Sequence, residues 1–278
     1  MAIDSVINCI NRFIDKLCQN TYFCNCCIFL TNEGLNRSIV SFPSTHSVNK
    51  EQLQSNWKYV ENALLYYTTC YTHSWDAILE LAQYSSKCTN KIFAFNFASR
   101  DSVTNCKDRI QQLMPFVDIL FCNPREAQVF AETQGLRNKK DRYQISAEIA
   151  SMEKVDKKRP RQVVITDKQF EICVAIQGEK KSYRFKYKPL EKSMIVDVSG
   201  SGDAFVGGYL SQILLENPIK TCVQYAVYAS KEVMQLEGCG VPMKGPNINH
   251  VFESVQSKES IGQRSSSITT LPFEPSID

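Results

Sequence analysis

The stretch that decides the fold reads DVSGSGDAFVGGYL and spans residues 197–210. A short apolar run at residues 194–196 precedes it and predicts the end of a buried strand. After two glycines, apolar residues recur with the period of a helix. They are Phe205, Val206, Tyr209, Leu210, Ile213 and Leu214. The pattern therefore predicts a strand, a glycine turn and a helix.

The glycine turn has the features of an anion site. A helix N-terminus presents unpaired N–H groups and the positive end of the helix dipole. Gly200 and Gly202 flank Ser201 and lack a Cβ atom, so an anion can approach the backbone closely. Asp203 places a carboxylate beside that anion, which suits proton transfer during phosphoryl transfer. The simpler alternative is an Asp that only complements the helix dipole, and an isolated Gly-x-Gly-Asp favours it.

Gly207 and Gly208 interrupt the predicted helix. Each costs about 1 kcal/mol relative to Ala in a helix interior. Such a cost suggests that another backbone or a ligand approaches the helix closely at this point.

The stretch resembles the signature DxxGxGDAFxGG of the ribokinase-like (PfkB) carbohydrate and nucleoside kinases. The continuation FVGGYLSQ is most similar to the adenosine kinases within that family. Residues 115–127, PFVDILFCNPREA, resemble the segment that carries the family's Asn-x-x-Glu motif. The resemblance runs from about residue 24 to residue 252. It implies an α/β fold with a ribokinase-like parallel (Rossmann-like) sheet, flanking helices and an incomplete small lid sheet.

The resemblance also implies a reaction, the transfer of the γ-phosphoryl group of ATP to the 5′-hydroxyl of adenosine. Asp203 would be the general base. The anion hole would consist of Gly200, Ser201 and Gly202. Mg²⁺ would be held through water by Glu126, beside Asn123. Further contacts are implied for ATP with Asp197, Thr166 and Gly238, and for the substrate with Asn96.

Asn123 and Glu126 also have a purely structural interpretation. Asn123 follows a predicted strand, Pro124 suits a first helical position, and Glu126 comes three residues after Asn123. This is the spacing of a capping box. From the residues alone the capping box is favoured, whereas the resemblance favours the role at Mg²⁺.

Short apolar strands alternate with helical patterns between residues 49 and 236, which predicts βαβ units and a parallel sheet. We predict three parts: a helix unlike the family at residues 1–22, a kinase domain at 23–255 with lid strands near 23–42, and a disordered tail at 256–278. Within the domain, residues 173–176 and 183–186 predict a hairpin, and residues 246–255 a last helix.

Parts of the family pattern have no counterpart. The family opens with Gly-Asn-x-x-x-Asp and a later glycine pair that grip the ribose, but Gly34 is the only glycine before Gly135. We therefore expect a chain that lacks the family's N-terminal third. The family's Thr-x-Gly reads Thr166-Asp167-Lys168, and a Thr of the signature is Val198. Two alternatives stay open: an impaired or inactive relative that binds nucleotides or another protein, and a kinase for another nucleoside or sugar.

Composition excludes several classes of protein. The 278 residues carry a net charge of +3 and are 43% hydrophobic and 22% charged, which is typical of a soluble globular protein. Basic residues are dispersed, so we expect no nucleic-acid partner. No apolar run reaches the ~18 residues of a membrane span. We expect a cytoplasmic protein with reduced thiols, with the nucleus as a second location. We expect a monomer, with a partner subunit as the alternative. Cys24, Cys26 and Cys27 should be core thiols rather than metal ligands.

Overall fold

The computed structural model describes residues 25–31, 36–42, 49–70, 74–157, 159–167, 171–179, 182–238, 240 and 255–258. The strands are β1 Asn25–Thr31, β2 Asn36–Phe42, β3 Leu65–Thr69, β4 Ile92–Asn96, β5 Ile119–Cys122, β6 Gln162–Asp167, β7 Glu171–Ile176, β8 Tyr183–Tyr187 and β9 Val255–Lys258. The helices are α1 Lys50–Ser55, α2 Trp57–Asn62, α3 Trp75–Lys87, α4 Arg100–Asn105, α5 Lys107–Leu113, α6 Pro124–Thr133, α7 Arg142–Ser151, α8 Ser201–Leu214 and α9 Ile219–Met234. None of these helices is long and apolar enough to cross a membrane.

The predicted α/β fold is confirmed. The described strands form a seven-stranded sheet in the order β3-β4-β5-β6-β7-β8-β9 and a separate antiparallel pair, β1-β2. Pairing is parallel from β3 to β6 and antiparallel from β6 to β9, and β7-β8 is the predicted hairpin. Because β3–β6 lie side by side in chain order, right-handed crossovers place their connecting helices on one face of the sheet.

Each face of the sheet carries its own apolar core. Strand β5 shows the alternation, since Leu120 and Cys122 join one core while Ile119 and Phe121 join the other. The first core packs against α3 to α7, and the second packs against α8 and α9. A sheet covered on both faces explains why the parallel strands read as continuous apolar runs.

The prediction of a buried strand at residues 194–196 is wrong. A 3₁₀ turn at Lys192–Met194 precedes irregular chain, and the side chains of Met194 and Val196 are each 45% exposed. The N–H groups of Val196 and Asp197 both donate to the Met234 carbonyl, at 2.9 and 3.2 Å. The segment therefore crosses the end of α9 instead of joining the sheet, and so short an apolar run does not distinguish the two cases.

The predicted tail starts too early. Gln256, Ser257 and Lys258 belong to β9, which pairs with β8, so the prediction of disorder is wrong for these three residues. Val255 belongs to the same strand, which contradicts the end of the helix predicted at residues 246–255. Backbone bonds to an open sheet edge need no hydrophobic periodicity, so the pattern did not reveal them. The predictions for residues 1–22, 246–254 and 259–278 lie outside the described residues.

Helices α8 and α9 touch backbone to backbone at Gly208. A Cβ atom on Gly208 would lie 2.6 Å from the Tyr225 carbonyl oxygen and 2.9 Å from the Ala226 Cα. A Cβ atom on Gly207 would meet nothing within 4 Å. The predicted close approach is therefore confirmed at Gly208, whereas Gly207 faces open space.

This difference predicts opposite effects for two neighbouring substitutions. Gly208→Ala forces the two helices apart and should lower the free energy of unfolding by about 1–3 kcal/mol. Gly207→Ala is the matched control, and it should be neutral or stabilise by up to about 1 kcal/mol through helix propensity. Urea denaturation of both variants tests this, and a Gly208→Ala protein as stable as the wild type would contradict the contact.

Candidate active site

The candidate site lies where the parallel strands end. Asn96 closes β4, Asn123 follows β5, and Thr166 lies one residue before the end of β6. Parallel strands direct their carboxyl ends to one edge of the sheet, where open α/β folds bind ligands. Helix α8 packs on this sheet, with the centroid of its Tyr209 ring 5.5 Å from that of Phe121 in β5. Burial and the Asp203 carboxylate both raise the pKa of Tyr67 in β3, which agrees with a first turn of α8 near the same edge.

The first turn of α8 is open for an anion. Gly200 precedes the helix in the left-handed conformation, with φ of 74°, and no side chain caps the helix. The Ser201 hydroxyl donates to the Val198 carbonyl at 2.8 Å, and this bond stabilises the turn before the helix. The N–H groups of Gly202 and Asp203 have no acceptor within the helix, since they belong to its first turn. These groups can hold a phosphate-sized anion beside the exposed Asp203 carboxylate.

Asp197 stabilises this turn through hydrogen bonds to backbone N–H groups. Its side chain is buried, and its Oδ1 accepts from the Ser199 N–H at 2.7 Å. Its Oδ2 accepts from the N–H of Gly238 at 3.2 Å. Gly238 lies just beyond the end of α9 and has a φ of 64°. The carboxylate thus joins the two loops that flank α8 and α9. Contact of Asp197 or Gly238 with ATP stays a prediction.

Ser199 is a residue of this turn that the sequence analysis missed. Its hydroxyl is buried and finds no hydrogen-bond partner among the described residues. An unpaired buried hydroxyl costs about 1–3 kcal/mol, so it calls for an explanation. It adjoins Gly200, where it is available to a bound ligand or water. No sequence signal marks it, because its burial depends on how the turn packs.

Asn123 and Glu126 form the capping box that their spacing suggested. The Asn123 Oδ1 accepts from the N–H groups of Arg125 and Glu126, each at 2.9 Å. In return the Glu126 carboxylate accepts from the N–H and the side-chain amide of Asn123, at 2.9 and 2.6 Å. Burial raises the pKa of Glu126, and the two hydrogen bonds from Asn123 oppose that rise.

The capping box leaves room for a role at a metal. A carboxylate offers about four lone-pair sites, and Asn123 occupies two of them. Glu126 therefore keeps the capacity to accept from water on a hydrated cation, as Mg²⁺ prefers. The described residues contain no cluster of three or more His, Cys, Asp or Glu side chains that could hold a metal ion. The metal role of Glu126 stays a prediction.

Asn96 is held in one orientation at the end of β4. Its Oδ1 accepts from the Ala98 N–H at 3.0 Å, and its amide nitrogen donates to the Tyr67 hydroxyl at 3.0 Å. Tyr67 is a second residue that the sequence analysis missed. The side chain of Thr166 is half-buried, and its contact with ATP stays a prediction.

The sequence of this chain is similar to those of known proteins. Residues 19–245 match the sequence profile described as pfkB family carbohydrate kinase. The chain belongs to the pfkB family. Adenosine kinase 2 of Arabidopsis thaliana is 32% identical over 231 residues, which cover 81% of this chain and 64% of that protein. Adenosine kinase of Schizosaccharomyces pombe is 29% identical over 223 residues, covering 78% of this chain and 64% of that one.

Solved structures agree with this family. Anopheles gambiae adenosine kinase in complex with P1,P4-di(adenosine-5) tetraphosphate superposes with a TM-score of 0.72 at 28% identity, covering 79% of this chain and 65% of that one. Schistosoma mansoni adenosine kinase in complex with 2-fluoroadenosine gives 0.73 at 21% identity, covering 80% and 65%, and supports the fold alone. This pfkB chain thus spans a little under two thirds of the length of these relatives.

If Glu126 both caps α6 and accepts from metal-bound water, one substitution should affect protein stability and Mg²⁺ dependence to different extents. Glu126→Gln keeps the capping-box bond from the Asn123 N–H but loses the bond from the Asn123 side-chain amide, so the free energy of unfolding should fall by only about 0.5–1.5 kcal/mol. It removes the charged acceptor for metal-bound water, so in the phosphoryl transfer that we propose below the Mg²⁺ concentration for half-maximal rate should rise about tenfold or more. Mg²⁺ titration of the rate tests this. Glu132→Gln, an exposed position on the same helix, is the control, and equal Mg²⁺ dependence in both variants would leave the capping box as the whole role.

Proposed function

We propose that this pfkB-family chain transfers the γ-phosphoryl group of ATP to the 5′-hydroxyl of adenosine, giving AMP and ADP. The observation that carries the proposal is the uncapped first turn of α8, which places the Asp203 carboxylate beside an anion site. The adenosine kinases that match this chain support adenosine as the acceptor. AMP formed from adenosine and ATP is a purine salvage product.

The proposal gives a separate task to each group. The exposed Asp203 carboxylate accepts the proton of the attacking hydroxyl, as a general base does. The N–H groups of the first turn of α8 hold the charge that develops on the phosphoryl oxygens, aided by the helix dipole. Mg²⁺ bound with ATP would neutralise phosphate charge, and Glu126 beside Asn123 would hold its water.

A second candidate is a protein that binds nucleotide without turning it over. The observation that favours it is the lack, within these 278 residues, of the glycine pair and of the Gly-Asn-x-x-x-Asp pattern expected for ribose binding. Transfer assays with adenosine, other nucleosides and sugars separate the candidates. Binding of ATP or adenosine with no transfer to any acceptor would favour the second candidate over the kinase.

The proposed base predicts a large and specific loss. Asp203→Asn keeps the shape of the side chain but removes the proton acceptor, so turnover should fall by about 10²–10⁴-fold while ATP affinity changes little. The control is Asp108→Asn, another first-turn aspartate, whose helix α5 packs on the opposite face of the sheet. A coupled assay for ADP measures turnover, and wild-type turnover in Asp203→Asn would exclude the role.

A further inference from the structure

Strand β3 is an open edge of the seven-stranded sheet. It lies first in the strand order, and among the described residues only β4 pairs with it. An edge strand carries a row of unpaired N–H and C=O groups, and these can pair with a strand of another chain. The described part of this chain therefore leaves room for one more strand beside β3.

The backbone bonds of β3 show which of its residues face outward. In a parallel ladder the N–H and C=O groups of one residue point to the same side, and those of the next residue point to the other side. The Leu64 carbonyl accepts from the Ile92 N–H at 2.9 Å. The Cys70 N–H donates to the Asn96 carbonyl at 3.0 Å. The even-numbered residues of β3 therefore face β4. The outward-facing residues are Leu65, Tyr67 and Thr69.

The two edges of the sheet differ in their protection against further pairing. Strand β9 has only four residues and includes Lys258, and both a short length and a lysine discourage pairing at an edge. Residues 62–72, which contain β3, read NALLYYTTCYT and include no charged residue, glycine or proline. Leu64 is 53% exposed and Tyr67 is 37% exposed. The β3 edge thus has the composition of a strand that pairs with another strand.

Two copies of β3 can satisfy each other's outward-facing groups. Tyr67 lies midway between the other two outward-facing residues, so a two-fold axis at Tyr67 sets Leu65 opposite the partner's Thr69. In an antiparallel pair, residues opposite each other in this register exchange both N–H···O bonds. All the outward N–H and C=O groups of both strands are then paired.

The absence of charge also suits pairing between identical strands. A two-fold axis places the residue beside it opposite its own copy, and like charges in such a position are destabilising. Tyr67 is uncharged, and an aromatic pair across two strands is favourable. Because this pairing uses the β3 edge of both copies, it ends at a dimer and does not continue into a filament.

We propose that two copies of this chain pair antiparallel through β3, with Tyr67 at the two-fold axis, and form a dimer with one continuous sheet. Of the two alternatives raised by the sequence, this is the partner subunit rather than the monomer. The dimer does not depend on the proposed phosphoryl transfer, so the two proposals stand or fall separately.

The two-fold axis predicts how charges at Tyr67 act on the assembly. Tyr67→Lys sets two lysines face to face, and Tyr67→Glu sets two glutamates face to face. The dissociation constant of each variant alone should therefore rise about tenfold or more. An equimolar mixture pairs Lys with Glu and should recover the dimer. Sedimentation equilibrium of the full chain measures this, and the wild type should have twice the mass of one chain.

Val155→Lys is the matched control. Val155 is another exposed apolar residue, and it lies on the loop before β6, with β4 and β5 between that strand and β3. A lysine there should leave the dimer unchanged. Weakening of the dimer by Val155→Lys as large as that by Tyr67→Lys would mean that added charge, and not the β3 edge, controls assembly, and would overturn the proposal.

Hydrogen exchange on the wild type tests the same edge without any substitution. In the dimer the amides of Leu65, Tyr67 and Thr69 should exchange slowly, as those of Tyr66 and Thr68 do through their bonds to β4. A wild-type monomer would overturn the proposal, and slow exchange of the outward amides in that monomer would show that the chain's own residues cover the edge. A dimer with fast exchange at these three amides, or one that Tyr67→Lys leaves unchanged, would also overturn it.

Discussion

The position of the anion turn depends on the backbone contact between α8 and α9 at Gly208. This contact sets the spacing of α8 and α9, and only a glycine allows the Tyr225 carbonyl so close. The Asp197 carboxylate then ties the turn before α8 to Gly238, beyond the end of α9. The two helices and their loops therefore behave as one unit that carries the anion turn to the edge of the sheet.

The polar groups at that edge are oriented by bonds to the backbone, and side-chain bonds from Asn96 to Tyr67 and from Asn123 to Glu126 add to them. Asn96 is oriented by the Ala98 N–H, and Asn123 by the first turn of α6. Bonds of this kind set each side chain before any ligand arrives, so no reorganisation is needed at the moment of reaction. The Asp203 carboxylate, by contrast, is exposed, and it is the group to which we assign the proton of the acceptor.

The Asn123–Glu126 pair shows why one motif supports two interpretations. A capping box requires a carboxylate or amide at the third helical position, and contact with a hydrated cation requires a carboxylate in the same place. The structure contains the capping box, and the remaining lone pairs of Glu126 leave the second role available. Burial of this carboxylate raises its pKa, which is a cost that capping alone does not require.

The sequence by itself determined the α/β class, the alternation of strands and helices, the hairpin, the capping box and the glycine turn with Asp203. These depend on contacts within a few residues and on periodicity, which a single chain reveals. Only the tertiary structure decided that residues 194–196 cross the end of α9, that Gln256–Lys258 pair with β8, and that Gly208 rather than Gly207 meets a second helix. It also joined the Asn96 amide to the hydroxyl of Tyr67 in the neighbouring strand through a side-chain hydrogen bond. Such contacts depend on how distant segments pack, and local patterns carry no record of that packing.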